Sequence, residues 1–246
     1  MSERRRLDQE LEARGLLPSR ARARDAILRG TVTVNGSVAG KPNQQVGPDD
    51  AIALDDPAAR YVSRAALKLV AGLDEGQIDP AGKTCLDLGS STGGFTQVLL
   101  ERGAAKVYAV DVGHDQLHES LRNDPRVISL EGVNGRDLDR EFIPDPIELI
   151  VSDVSFVSIV KIIDPVLALA APRAEAVILI KPQFEVGREN VGKGGIVTNE
   201  AAIAGSVERV LAHFAAAGWS HRFSIASPIA GGDGNREIVA GFRRNQ

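Results

Sequence analysis

Apolar residues along the chain change their spacing as the chain proceeds. Leu7 and Leu11 stand one helical turn apart ahead of Gly15, and Ala23, Ala26 and Ile27 share one face of a second short helix, with Ser19 placed to cap it and Gly30 to close it. At Thr31 the period switches to two. Thr31-Val32-Thr33-Val34 alternates and runs into Asn35-Gly36, a hairpin signal, and Ala51-Ile52-Ala53-Leu54 repeats the alternation before Pro57. From Tyr61 onward short apolar runs recur at residues 84–88, 106–111, 127–130, 148–152, 176–180, 221–226 and 237–242, with helical segments between them. That rhythm predicts a doubly wound, mostly parallel sheet with right-handed crossovers. The last two runs are joined by residues 227–236, which contain Pro228, Gly231, Gly232, Gly234 and Asn235 and are too short for a crossover helix. The final strand is therefore expected to return antiparallel. The pattern divides the chain into a small α+β module over residues 1–58, a linker and helix over 59–83, and a Rossmann-like α/β domain with seven strands over 84–246.

Composition narrows the class of protein. With 246 residues, 43% of them hydrophobic and 25% charged, the chain is neither disordered nor a simple coiled coil. The single cysteine, Cys85, excludes an internal disulfide and a CxxC metal site, and points to a reducing compartment. Arg4, Arg5 and Arg6 are followed by Asp8, Glu10 and Glu12 where a secretion signal would be apolar. The most apolar stretch, residues 147–169, is interrupted by Asp153, Lys161 and Asp164, so no membrane partner is expected and the protein is placed in the cytoplasm. A net charge of −4 argues against nucleic acid until its distribution is read. Residues 4–29 hold eight arginines and four acids, and Arg4, Arg6, Arg20, Arg22 and Arg24 are the candidate phosphate contacts.

The segment RLDQELEARGLLPSRARARDAILRGTVTVNG resembles the S4 RNA-binding domain. The resemblance implies that the arginine-bearing helical pair presents a basic surface to structured RNA rather than to DNA.

A second motif lies at the end of the first strand of the larger domain, where TCLDL runs into GSSTGGF and then a helix. Open α/β sheets bind ligands at this edge. Gly89, Gly93 and Gly94 permit close backbone approach, and Ser91 and Thr92 complete the loop. The spacing is not G-x-G-x-x-G, which favours a cofactor without phosphates, S-adenosylmethionine, over a dinucleotide. Asp87 is the candidate for its ammonium group and Asp111, ending YAVD, for its ribose hydroxyls. A GxxxxGK match at residues 187–193 is followed by Gly194 rather than Ser or Thr, so it is read as a hinged flap near the active site and not as a phosphate loop. His114 and His118 are four residues apart without a carboxylate pair, and no metal is expected.

Four charged residues fall at positions where such a fold builds its active site. Lys68 lies on the helix before the first strand, Asp153 ends the fourth strand, Lys181 ends the fifth and Glu237 opens the last. Together they resemble the Lys-Asp-Lys-Glu tetrad of RNA 2'-O-methyltransferases. A ribose 2'-hydroxyl is weakly acidic and must be oriented and deprotonated, and a lysine partly desolvated beside a second cation is suited to accept its proton. Lys181 is the candidate base. Lys68 would stabilise developing negative charge, while Asp153 and Glu237 orient the lysines and the hydroxyl.

With YVSRAALKL, LDLGSSTGGFT, VYAVDVG, LIVSDVSFVSI, LIKPQFEVGRENVGKGGIV and SPIAGGDGNREI in order, the whole chain resembles the TlyA (haemolysin-A-like) family of ribosomal RNA 2'-O-methyltransferases. The resemblance implies methylation of cytidine ribose in ribosomal RNA within ribosomal subunits. Ser90 and Ala65-Ala66 stand where the family pattern has Ala and Gly-Gly, and neither departure touches the tetrad. A small-molecule methyltransferase would leave the S4-like module without a task, and a non-catalytic RNA chaperone would not need the tetrad or the glycine loop.

Overall fold

The computed structural model describes residues 4–245, and the chain divides into two compact units, Met1–Arg60 and Tyr61–Gln246. The smaller unit comprises β1 (Arg5–Arg6), α1 (Leu7–Ala13), α2 (Arg20–Leu28), β2 (Val32–Val34), β3 (Ser37–Val38), β4 (Gln45–Val46) and β5 (Ile52–Leu54). Leu7, Leu11, Leu17, Ala23, Ala26, Ile27, Val32 and Val34 form its core, so the helical and the alternating apolar patterns meet in one cluster. The Ser19 hydroxyl accepts from the Arg22 amide at 3.3 Å and caps α2. Asn35 and Gly36 have φ of 50° and 80° and join β2 to β3 in a tight antiparallel hairpin, a turn whose two central residues both need left-handed backbone. β5 pairs with the other edge of β2. The ladder between β1 and β4 escapes pattern reading because each strand has only two residues, too few to show a period.

The larger unit comprises α3 (Ala66–Gly76), β6 (Thr84–Leu88), α4 (Gly94–Glu101), β7 (Lys106–Asp111), α5 (Glu119–Arg122), β8 (Val127–Glu131), β9 (Ile147–Ser152), α6 (Asp164–Ala168), β10 (Ala170–Ile180), α7 (Pro182–Glu185), α8 (Glu200–Ala216), β11 (Trp219–Ala226) and β12 (Ile238–Arg244). Its seven-stranded sheet has the order β11-β12-β10-β9-β6-β7-β8. The pairings from β10 through β8 are parallel, and β12 runs antiparallel to both β10 and β11, as the short link before it requires. Both faces of the sheet are covered. One cluster includes Ile150, Ile178, Phe214, Trp219 and Phe242, and the other Leu69, Leu73, Leu99, Val151, Val177 and Val239, which is why the central strands read as unbroken apolar runs. β10 starts six residues earlier than its apolar run, because a register shift between Ala170 and Glu175, with Arg173 at φ 62°, breaks the alternation there. Among the described residues no helix is long and apolar enough to cross a membrane.

Candidate active site

The antiparallel return of β12 brings its amino end to the same edge of the sheet as the carboxyl ends of β9 and β10. Ile180 and Ile238 are register partners, so the residues one step beyond them, Lys181 and Glu237, face each other across that edge. Asp153 follows directly on β9, the next strand over. Lys68 arrives from α3. A Cβ at Gly72 would come 2.7 Å from side-chain carbons of both Val177 and Val239, so this glycine lets the helix lie directly on the sheet. Lys68 is one turn earlier on the same face, and its amine therefore reaches the sheet edge.

The four side chains form one connected ion group. Lys68 Nζ is 2.6 Å from Glu237 Oε2 and 3.4 Å from Asp153 Oδ2, while Lys181 Nζ is 2.7 Å from Asp153 Oδ1. The Asp153 carboxylate thus holds one lysine on each oxygen. Lys68, Lys181 and Glu237 are only 6%, 7% and 4% exposed, and two cations against two anions satisfy the requirement that buried charges be paired. Lys181 Nζ also donates to Ser155 Oγ at 2.7 Å, a partner that motif reading missed although it lies two residues past Asp153.

Beside this group, at the carboxyl ends of β6, β7 and β9, lies a cavity of about 540 Å³ whose lining includes Gly89, Ser91, Asp111 and Asp153. Its size suits a small-molecule cofactor. Asp111 accepts from the amides of Ser91 at 2.8 Å and Gly113 at 2.7 Å, fastening the loop after β6 to the loop after β7. Gln116, Asn134 and Arg136 line the cavity from loops that carry no sequence motif. Asp87 lies fully buried beneath the glycine loop. Thr96 Oγ1 donates to its Oδ2 at 2.7 Å, Oδ1 has no hydrogen-bond partner among the described residues, and burial pushes the carboxyl up to about 7 against the opposing effect of Thr96. Asp87 does not itself line the cavity as Leu88 and Gly89 do, but an orphaned, destabilised carboxylate next to that lining, under a loop without a phosphate-binding pattern, fits a cationic cofactor such as S-adenosylmethionine. Thr92 is exposed, while Gly93 and Gly94 face inward, away from the cavity lining. A Cβ at Gly93, where φ is 97°, would lie 2.3 Å from Leu121 Cδ1, and one at Gly94 would lie 2.9 Å from Ser63 Cβ. These two glycines serve the turn from β6 into α4.

At the mouth of the cavity stands Phe156, 91% exposed and held at φ 68°, a left-handed conformation unusual for a bulky side chain. Its ring is tilted against Phe184 at 5.6 Å. The buried Glu185 carboxylate accepts from Ser158 Oγ at 2.6 Å and from the Ile159 amide at 2.7 Å, anchoring the loop on which Phe156 stands. The glycine-rich segment after Gly187 is fastened by Asn235, which accepts from Val197 N at 3.0 Å and donates to Gly195 O at 2.9 Å, two residues before Glu237.

In the smaller unit Arg6, Asp8, Arg20 and Arg24 line a concavity with Pro42 and Asn43, and Arg4 is exposed. Arg6 donates to both oxygens of the buried Asp8 at 2.9 Å, and Arg20 reaches the same carboxylate at 3.4 Å. Hydrogen bonds from Arg6 hold the Asp8 carboxyl below its ordinary range. Arg22 is placed differently from its neighbours. It is half-buried and donates to the Ala58 carbonyl at 2.7 Å, tying α2 to the end of the unit.

A Rossmann-type sheet with an antiparallel seventh strand, a cofactor-sized cavity at its carboxyl edge and a Lys-Asp-Lys-Glu group beside it define a methyltransferase. The chain belongs to the FtsJ-like methyltransferase family, whose model matches residues 61–244, and an S4 domain matches residues 5–52. It also belongs to the TlyA family. The chain is 45% identical over 244 residues to the 16S/23S rRNA (cytidine-2'-O)-methyltransferase TlyA of Mycobacterium tuberculosis, covering 99% of this chain and 91% of that relative. It is 42% identical over 240 residues to Hemolysin A of Brachyspira hyodysenteriae, covering 96% and 99%. A solved structure from Streptococcus thermophilus, carried under a hemolysin name, is 35% identical and superposes with a TM-score of 0.77 over 100% of this chain and 90% of that one.

Proposed function

We propose that this protein transfers a methyl group from S-adenosylmethionine to a ribose 2'-hydroxyl of ribosomal RNA, at a cytidine within a ribosomal subunit, in the cytoplasm. The observation that carries the reading is the placement of the Lys181 amine, held at 2.7 Å by both Asp153 and Ser155, two residues that line the cofactor-sized cavity. S-adenosylmethionine, when bound, supplies an electrophilic methyl group on a sulfonium centre. Asp87 would answer its ammonium, Asp111 its ribose hydroxyls, and the backbone from Gly89 to Ser91 would shape the floor. Thr92, Gly93 and Gly94 would act through the shape of the turn.

In this reading Lys181 would give up its own proton before the step and act as the neutral amine, so that its Nζ would receive the 2'-hydroxyl proton as the ribose oxygen takes the methyl group and the sulfur leaves as a neutral thioether. Asp153 and Ser155 hold that nitrogen at one point, so its orientation is set before substrate arrives. Lys68, anchored by Glu237, faces the developing charge on the oxygen. Phe156 offers its exposed ring as a platform for an unstacked base. The smaller unit binds RNA through Arg4, Arg6, Arg20 and Arg24, with Asp8 positioning two of them and Arg22 bracing the helix that carries them.

Mapping ribose methylation in ribosomal RNA from cells with and without the protein tests the substrate. In single turnover, Lys181→Ala is expected to slow transfer by about 10²- to 10⁴-fold, the ordinary worth of a general base, with cofactor affinity unchanged. A variant retaining more than about a tenth of the wild-type rate would show that Lys181 is not the proton acceptor.

A further inference from the structure

At the end of the sheet opposite the active site, three strands bring four arginines together. Arg173 of β10, Arg222 of β11 and Arg243 and Arg244 of β12 line one cavity of about 370 Å³ with Ser220 and Asn245. The convergence depends on broken strand register. Arg173 lies in the irregular stretch between Ala170 and Glu175, and Arg222 lies between the paired residues His221 and Phe223, where the β11 register shifts. Bulges of this kind re-aim side chains that regular alternation would send elsewhere. Arg244 donates to the Ala170 carbonyl and so forms part of the frame.

The other three guanidinium groups are exposed and, among the described residues, have no hydrogen bond or ion pair. Several arginines elsewhere in the same unit are engaged, among them Arg102 with Asp74, Arg126 with Asp124 and Arg209 with the Glu185 carbonyl. The carboxylate nearest in register, Glu175 opposite Arg243, is held by Lys83 at 2.7 Å. Three clustered cations without a counter-charge therefore persist on a unit in which 19 Lys/Arg face 24 Asp/Glu. Their mutual repulsion is relieved when an anion enters between them, and guanidinium forks match phosphate oxygens.

We propose that this surface binds the phosphate backbone of folded RNA at a distance from the nucleotide being methylated. The inference rests on the RNA methyltransferase reading and deepens it. Arg173 lies on β10 and Lys181 directly after its end, eight residues further on, roughly 26 Å at about 3.3 Å per residue. That span is about seven to eight nucleotides at roughly 3.4 Å each, so the arginines meet RNA well away from the target nucleotide.

The test uses the full chain carrying Arg173→Ala, Arg222→Ala and Arg243→Ala together, leaving Arg244 in place, and a matching triple Lys variant. Probes are purified small and large ribosomal subunits from cells lacking the protein. The Ala variant is expected to bind subunits about tenfold more weakly at 0.1 M salt, with a salt dependence shallower by two to three in log–log slope, because up to three phosphate contacts are lost. KM for the subunit rises while kcat, cofactor affinity and melting temperature stay unchanged, and the Lys variant recovers most of the binding. Wild-type affinity and slope in the Ala variant would overturn the proposal, as would an equal loss in the Ala and Lys variants. A wild-type protein that methylates neither subunit would instead bring down the functional reading, and the binding slopes would still decide the role of the arginines.

Discussion

Asp87→Asn separates the cost of burying a charge from its use. The Asp87 carboxyl is fully buried, and burial pushes it up to about 7 from an ordinary 3.8. Between about pH 4 and pH 7 the folded protein therefore keeps a proton on Asp87 that the unfolded chain has released. Stability contributed by this group falls as pH rises through that window, and the whole loss is present above it. At ~1.4 kcal/mol per tenfold change the loss is on the order of 4 kcal/mol. An Asn side chain does not titrate, so the variant without cofactor is expected to match the wild type near pH 4 and to exceed it by up to ~4 kcal/mol at pH 8. Urea unfolding at a series of pH values measures this difference. Cofactor binding should move the opposite way. A cationic ligand needs the ionised carboxylate, so wild-type affinity for S-adenosylmethionine weakens about tenfold per pH unit below 7, and the variant binds poorly at every pH. A stability difference that stays constant from pH 5 to pH 8 would refute the burial argument, and a variant with wild-type calorimetric affinity would refute the contact with the ammonium.

Phe156→Ala should raise KM for RNA about 5- to 100-fold, the range expected from losing one base stack, with cofactor affinity unchanged and Phe156→Trp close to wild type; an unaltered KM would remove the platform. Arg20→Ala with Arg24→Ala should weaken RNA binding and flatten its salt dependence. Arg22→Ala should instead leave the salt slope intact and destabilise the smaller unit by about 1 kcal/mol, since it removes the bond to the Ala58 carbonyl; equal effects on RNA binding from both changes would contradict the different placement of Arg22. Gly93→Ala should cost roughly 2–4 kcal/mol in denaturant unfolding, combining a strained φ with a methyl driven into Leu121. Full stability in that variant would mean the turn can shift.

Periodicity made the strands and helices of the larger unit legible because each is a local repeat long enough to count, and the short link after β11 alone required an antiparallel last strand. The same spacing put Lys68, Asp153, Lys181 and Glu237 next to strand ends or on the preceding helix, which is as far as one-dimensional information reaches. Their convergence needed the register between Ile180 and Ile238 and the close approach of Gly72 to the sheet, contacts between residues far apart in the chain. Ser155 and Phe156 escaped because loop residues have no period. The Arg173, Arg222 and Arg243 cluster escaped for a sharper reason: bulges undo the alternation from which a sequence reader would assign each side chain to a face. Local patterning set the order of elements, the two kinds of unit and the chemical types available at the sheet edge. Packing between distant segments set which glycines face the cavity, which arginine is turned inward and where unpaired charge gathers, because direction and burial depend on neighbours supplied by distant parts of the chain.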